Sequence, residues 1–227
     1  MKGPSDMVER DKRRRGPQQD RAVETRSRLL DHGLRAFAAK GHDGVSLARD
    51  VLDPAGVSVG SFYHQFSDKT ELLLAILDDL GWARRRDVAL STVSAQSLDE
   101  AVAWGLGAFF DDMDADPDAW RVRVVVQGSN DERVARAVAD LQAHWVEANV
   151  GMLGPWCDDD QATLEFAQLL AAFGLGVAAH YVGLDAAGRR RDRSRIESAA
   201  RRFVIGGVRA LGAADEPGRF RRLEQDL

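Results

Sequence analysis

Residues Ala55 to Leu73 read AGVSVGSFYHQFSDKTELL, and the punctuation of this stretch decides the fold. Gly56 permits a tight reversal, Ser58 can cap the helix that follows, and Ser58, Val59, Gly60 and Ser61 are all small. Asp68 with Glu71 three residues later is a capping-box-like pair, opening a longer helix through Leu72, Leu73, Ile76, Leu77 and Leu80 towards Val88. Upstream, Ser46 can cap a short helix through Val51 and Leu52 that ends near Pro54 and Gly56. Two short helices about a glycine turn, the second slim enough at its start to enter a DNA major groove, form a helix-turn-helix. Before them, Val23, Leu30, Leu34 and Phe37 fall at helical spacings between Arg21 and Lys40, and Gly41 follows as a stop.

Composition carries the helical reading through the rest of the 227 residues: 33 Ala against 3 Ile and 4 Thr favours helix formers over strand formers. Start signals recur at Ser97 with Glu100 and at Ser129 with Glu132, and Pro117 and Pro155 separate the helices. Two long helices are expected at about Asp159 to Leu184 and Arg193 to Leu211, joined by Gly188 to Arg191. Arg121 to Val126, RVRVVV, alternates like a strand, but with no partner strand in the sequence it is read as helix. The fold class expected is all-α, with a three-helix head at the N-terminus and a helical domain behind it.

The single cysteine, Cys157, excludes a disulfide framework and any multi-cysteine metal site, and points to a reducing, cytoplasmic setting. The net charge of -5 is unevenly spread: residues 1–70 hold 13 Lys+Arg against 10 Asp+Glu, leaving 18 against 26 for the remainder. A mildly basic N-terminal part suits phosphates, while the acidic remainder favours solubility. Met1 to Gln19, with the basic run Arg10 to Arg15, reads as a disordered arm without the apolar core of a secretory signal. Phe166 to Leu184 is 19 residues free of Asp, Glu, Lys and Arg, yet it carries Gln168, His180, Tyr181 and three glycines. It reads as a helix buried on most sides rather than a membrane span.

From about Thr25 to Leu80 the chain resembles the tetracycline-repressor (TetR) family of bacterial transcriptional regulators. Ala55 to Leu73, behind a first helix ending FAAKG at Phe37 to Gly41, carries the resemblance. It implies a homodimeric repressor that a small molecule, bound in the C-terminal helical domain, releases from a palindromic operator. It further implies DNA contacts at Ser46, Ser58, Val59, Gly60, Ser61, Tyr63 and His64 and a phosphate contact at Lys69. Where Val59 stands the family commonly has a basic residue, so a contact there is missing or is replaced by an apolar contact to a thymine methyl. Pro54 and one extra residue between Gly41 and Val51 are further departures. The organisation expected is a basic arm at 1–19, a head at 20–67 with its motif at about 46–66, a ligand-binding and dimerising domain at 68–212, and a tail at 213–227.

Rings are plentiful in the second part, and pockets in helical bundles combine apolar walls with a few polar groups. The candidate ligand residues are Trp104, Phe109, Trp120, His144, Trp145, Phe173, His180 and Tyr181. Small residues at Ala171, Ala172, Gly174, Gly176, Ala178 and Ala179 suit close helix packing, and the resemblance places a four-helix dimer interface on the last two helices. Two other chemistries are set aside. Gly56 to Gly60 matches the G-x-S-x-G nucleophile elbow, but no buried strand precedes it, so no enzyme is expected. Asp158 to Asp160 read as a helix start rather than a metal site, and no cofactor is expected. The competing function is a helical module that binds a small molecule or a partner protein and keeps a degenerate DNA head, a reading to which Val59 and Pro54 lend weight.

Overall fold

The computed structural model describes residues 17–82 and 95–210, and the chain folds as two compact units, Met1–Ile76 and Leu77–Leu227. Among the described residues there are helices and turns and no strand. The basic run Arg10 to Arg15, the continuation of the long helix towards Val88 and the C-terminal tail lie outside the described residues.

In the first unit, α1 (Pro17–Gly44) loses regular helical geometry at Gly41, whose φ of 67° lies in the left-handed region that glycine tolerates. The buried face of α1 is Leu29, Gly33, Ala36 and Phe37. Val23, expected on that face, is exposed; it sits nearly two helical turns before the first core contact. α2 (Leu47–Leu52) is wound as a π-helix, α3 (Asp53–Ala55) is a single turn, and α4 (Val59–Tyr63) follows the reversal. A π turn closes on i→i+5 and takes in one residue more than an α turn, and here Asp53 N donates to Ala48 O, five residues back. α1 and α5 (Lys69–Trp82) approach closely at Gly33, where an added Cβ would lie 3.0 Å from Leu72 Cδ2 and Ile76 Cδ1.

The second unit contains α6 (Leu98–Ala115), α7 (Pro117–Val125), α8 (Glu132–Leu153), α9 (Asp160–Gly183) and α10 (Ala186–Ala210). α8 packs on α9, α6 on α10, and α7 on α9. One core cluster joins Leu98, Val102, Leu153, Trp156, Leu170 and Val204; a second joins Phe110, Met113, Trp120, Ala178, Tyr181 and Val182. RVRVVV is helical, as its lack of a partner strand required, with Val126 passing into a short 3₁₀ turn.

Ser97 caps α6 as expected, its side chain accepting from Glu100 N. Two boundaries differ from the sequence reading. Ser129 does not cap α8: Asp131 does, because a carboxylate there reaches both Arg133 N and Val134 N, while Ser129 Oγ accepts from Asp131 N. Gly188 to Arg191 do not join the last two helices but lie inside α10; Asp185 Oδ1 accepts from Gly188 N at 2.6 Å and starts that helix earlier.

α9 is long and apolar enough to cross a membrane by length and composition, yet only 28% of its most apolar window is buried within this chain. The expectation of burial on most sides is therefore not met by one copy. Leu169 (68% exposed), Ala172 and Gly176 on α9, with Ala199, Phe203 (54% exposed) and Gly206 on α10, face outward.

Candidate functional site

The geometry of the head begins at Gly56. Its φ of 62° and ψ of 37° let Gly56 N donate to Asp53 O and Val57 N donate to Leu52 O, closing α3 and turning the chain. Arg28 Nη1 holds the Ala55 carbonyl at 3.1 Å, fixing the turn to α1. Ser58 then caps α4: its Oγ accepts from Ser61 N at 3.1 Å and lies 2.9 Å from Ser61 Oγ. Phe62 is fully buried and packs 5.8 Å from the Phe66 ring centroid, anchoring the helix from below.

With Phe62 inward, the opposite face of α4 points to solvent. Ser58, Val59, Gly60, Ser61, Tyr63 and His64 are all exposed there, Val59 at 56% and Tyr63 at 57%. Nothing stands within 4 Å of a Cβ built on Gly60, so this face is thin as well as bare.

The remaining two predicted head residues are engaged. Ser46 stands at the N-cap of α2, but its side chain makes no capping bond; in the wider π turn Asp50 instead reaches back, its Oδ2 accepting from Ser46 N at 2.9 Å. Lys40 Nζ donates to Asp50 Oδ1 at 2.7 Å, and this bond together with the one from Ser46 holds the pKa of the Asp50 carboxyl down at about 2. Lys69 Nζ donates to His42 O at 2.7 Å and Val45 O at 3.2 Å, so two of the three ammonium donors fasten the segment leading into α2. Asp68 does cap α5, its Oδ1 accepting from Glu71 N, while Glu71 Oε2 accepts from Ser67 N one residue earlier than a standard box.

A cavity of about 770 Å³ lies within the second unit. Phe109, Trp120, His144, Trp145 and Phe173, five of the eight candidate ligand residues, line it. Phe109, Trp120 and Trp145 meet edge to face at centroid distances of 5.0 to 5.9 Å. The other three candidates are not on its wall. Trp104 and His180 are exposed, and Tyr181 is fully buried, donating from its hydroxyl to Asp114 Oδ1 at 2.9 Å. Burial first, and then that bond to a carboxylate, push the pKa of the Tyr181 phenol up to about 12.

Sequence reasoning missed the charged part of the wall. Arg123, 5% exposed, donates from Nη2 to Leu80 O at 2.7 Å and lies over the Trp120 ring; Trp120 Nε1 donates to Asp112 Oδ2 at 2.8 Å. The signal was present in RVRVVV, because helical geometry sends Arg121 and Arg123 to opposite sides. Arg121 meets Asp118 nearer the surface while Arg123 turns inward.

No group of three or more potential metal ligands occurs among the described residues. Asp159, in the acidic run, caps α9 through Gln161 N and Ala162 N. Cys157 is buried in the first core cluster of the second unit. Ser58, within G-x-S-x-G, follows a helix and a turn and serves as a cap, which is not the strand-to-helix setting of a nucleophile elbow.

Comparison with known proteins agrees with the head geometry. Residues 29–76 match the family model described as bacterial regulatory proteins, tetR family. The HTH-type transcriptional regulator TtgR of Pseudomonas putida is 39% identical over 61 residues, which are 27% of this chain and 29% of that protein. The HTH-type transcriptional repressor KstR2 of Rhodococcus jostii is 35% identical over 81 residues, 34% of this chain and 39% of the relative. The matches thus span well under half of these relatives. The crystal structure of SCO4454, a TetR-family transcriptional regulator from Streptomyces coelicolor, covers 83% of this chain and 96% of its own, with a TM-score of 0.65 and 24% identity, a likeness of fold. The head, over residues 29–76, is thus similar to that of the tetR family of bacterial regulatory proteins, and the two-part helical fold behind it is like that of SCO4454.

Proposed function

We infer that this protein is a cytoplasmic, homodimeric transcriptional repressor that binds a two-fold symmetric operator through α4 and leaves it when a small molecule occupies the cavity of the second unit. The observation that carries this reading is the bare, thin face of α4 on a head similar to that of the tetR family. Ser58, Val59, Gly60, Ser61, Tyr63 and His64 supply the base and backbone contacts, with Ser46 at the start of α2 beside them. Lys69 directs its third donor to a phosphate. The functional division is a DNA-reading head over residues 20–67 and a sensing and dimerising body over 68–212.

The outward stripe of Leu169, Ala172 and Gly176 with Ala199, Phe203 and Gly206 supports pairing of α9 and α10 with a second copy, since small residues let helices approach and the exposed apolar side chains gain cover. Dimeric readers need their recognition helices about 34–36 Å apart to enter successive major grooves. A ligand acts by favouring the protomer arrangement that spoils this spacing, and a coupling of about 1–3 kcal/mol changes occupancy about 5–150-fold. In the cavity, Phe109, Trp120, His144, Trp145 and Phe173 are the ligand contacts. Leu80 near the end of α5 lines the same cavity and is held by Arg123, which makes α5 the lever.

The test is selection of random DNA duplexes on the purified protein at moderate salt, followed by sequencing. Enrichment of a two-fold symmetric site supports the reading. A folded dimer that enriches nothing refutes it and favours a binding module with a degenerate head.

A further inference from the structure

We propose that α4 reads its operator chiefly through the 5-methyl groups of pyrimidines, with Val59 and Tyr63 as the specificity-determining residues, so that 5-methylcytosine can replace thymine at the contacted positions. The proposal rests on the operator-binding reading above and deepens it.

Val59 and Tyr63 are separated by four residues and so share one side of the helix. Both are large, apolar or largely so, and more than half exposed, whereas Phe62 between them is fully buried. No Lys, Arg, Asp or Glu occurs from Val57 to Phe66, so this face offers neither a guanidinium for guanine O6 and N7 nor a carboxylate for cytosine N4. The two hydroxyls beside Val59 are turned towards each other, Ser58 Oγ lying 2.9 Å from Ser61 Oγ and accepting from Ser61 N. What the helix presents is an apolar ridge of Val59 and Tyr63, flanked by the paired serine hydroxyls and the His64 imidazole.

In the major groove the apolar feature of a base edge is the C5-methyl of thymine, and 5-methylcytosine places the same group at the same ring position. Four residues of helix rise span about 6 Å, close to two base-pair steps of about 3.4 Å each. Val59 and Tyr63 therefore address methyls about two steps apart within one half-site. The absence of a side chain at Gly60 leaves room for the backbone to come near the base edges between them.

The experiment starts from the selected operator and replaces each thymine in turn by deoxyuridine, which lacks only the methyl, measuring Kd for the full-length protein and for Val59→Ala. Val59 is exposed, so this variant keeps its fold, which far-UV circular dichroism verifies. For the native protein we expect about fourfold weaker binding for each contacted methyl removed, the factor that burial of one such group carries. Val59→Ala loses that sensitivity at one position per half-site, and Tyr63→Ala loses it at a second, about two steps away. Placing 5-methylcytosine at a contacted position restores the affinity that unmethylated cytosine lacks. An operator that tolerates deoxyuridine throughout overturns the proposal while leaving the operator reading intact, and so does a penalty that persists unchanged in Val59→Ala and Tyr63→Ala. Failure to enrich any operator overturns both.

Discussion

Replacing Tyr181 by phenylalanine removes one oxygen from the second core cluster of the second unit and leaves the ring packed edge-on against Phe110 at 5.0 Å. The lost bond to Asp114 does not orphan the carboxylate, because Arg193 Nη1 stands 2.7 Å from Asp114 Oδ2 and Arg189 Nε 3.8 Å from Oδ1. At neutral pH the loss is therefore that of an ordinary buried hydrogen bond, about 1 kcal/mol. The phenol itself adds a pH dependence. It ionises at about 12 in the fold against an ordinary value of 10.0, so as pH rises past 10 the unfolded chain gives up the proton first and native stability falls until the folded group also ionises. At pH 11 this linkage costs the native protein about 1.4 kcal/mol, one unit beyond the unfolded value, and the phenylalanine variant is spared it. The variant should thus be less stable by about 1 kcal/mol at pH 7.5 and level with or slightly above the native protein at pH 11. All five tryptophans stand at position 82 or later, so their emission during urea unfolding follows the second unit. A stability difference that stays constant from pH 8 to pH 11 would refute the argument, since other titrating groups are common to both proteins.

Three perturbations of the head have equally definite outcomes. Gly56→Ala places a Cβ where φ is 62° with no steric neighbour closer than 3.7 Å, so strain alone acts; we expect about 1–2 kcal/mol of lost stability, read as faster amide exchange at Val57 and Phe62. Asp50 is held at about 2 by Lys40 and Ser46, so its support of α2 is complete above the ordinary value of 3.8 and is lost as pH falls through about 2; carboxyl NMR titration measures this, and an unshifted carboxyl would remove the Asp50 cap. Lys69→Ala should lower the slope of log Kobs against log salt by a little under one unit and weaken all DNA sequences alike, and it should also speed amide exchange from His42 to Ser46 because two carbonyls lose their donor. Sequence-selective loss would contradict the phosphate role, and unchanged exchange would contradict the clamp.

Where local chemistry decides local structure, the sequence could be read directly. Gly56, Ser58 and Asp68 act within three or four residues of themselves, and each does in the structure what its type and spacing imply. Errors arose where two neighbours compete for one role. Asp131 takes the start of α8 from Ser129 because a charged acceptor binds exposed amides more strongly than a hydroxyl, and Asp185 draws Gly188 into α10 in the same way. Tertiary partners were harder still. Nothing near Arg123 in sequence announces that its guanidinium will reach Leu80 O, 43 positions away, or that Tyr181 will meet Asp114, 67 positions away. The aromatic content of the cavity wall was legible from composition; which rings turn inward depended on helix pairings that one sequence does not display.

The widened winding of α2 bears on how heads of this kind tolerate insertions and deletions. A residue added to a surface loop leaves its surroundings unchanged, whereas one added to a packed helix ordinarily rotates everything beyond it by about 100°. Here Leu47–Leu52 form a single wide turn that holds one residue more than an α turn would, and Val51, Leu52 and Ala55 reach the core ahead of the reversal at Gly56. Loss of one residue within Leu47–Leu52, with the turn tightening to α winding, should therefore leave the reversal at Gly56 and the exposed face of α4 in place.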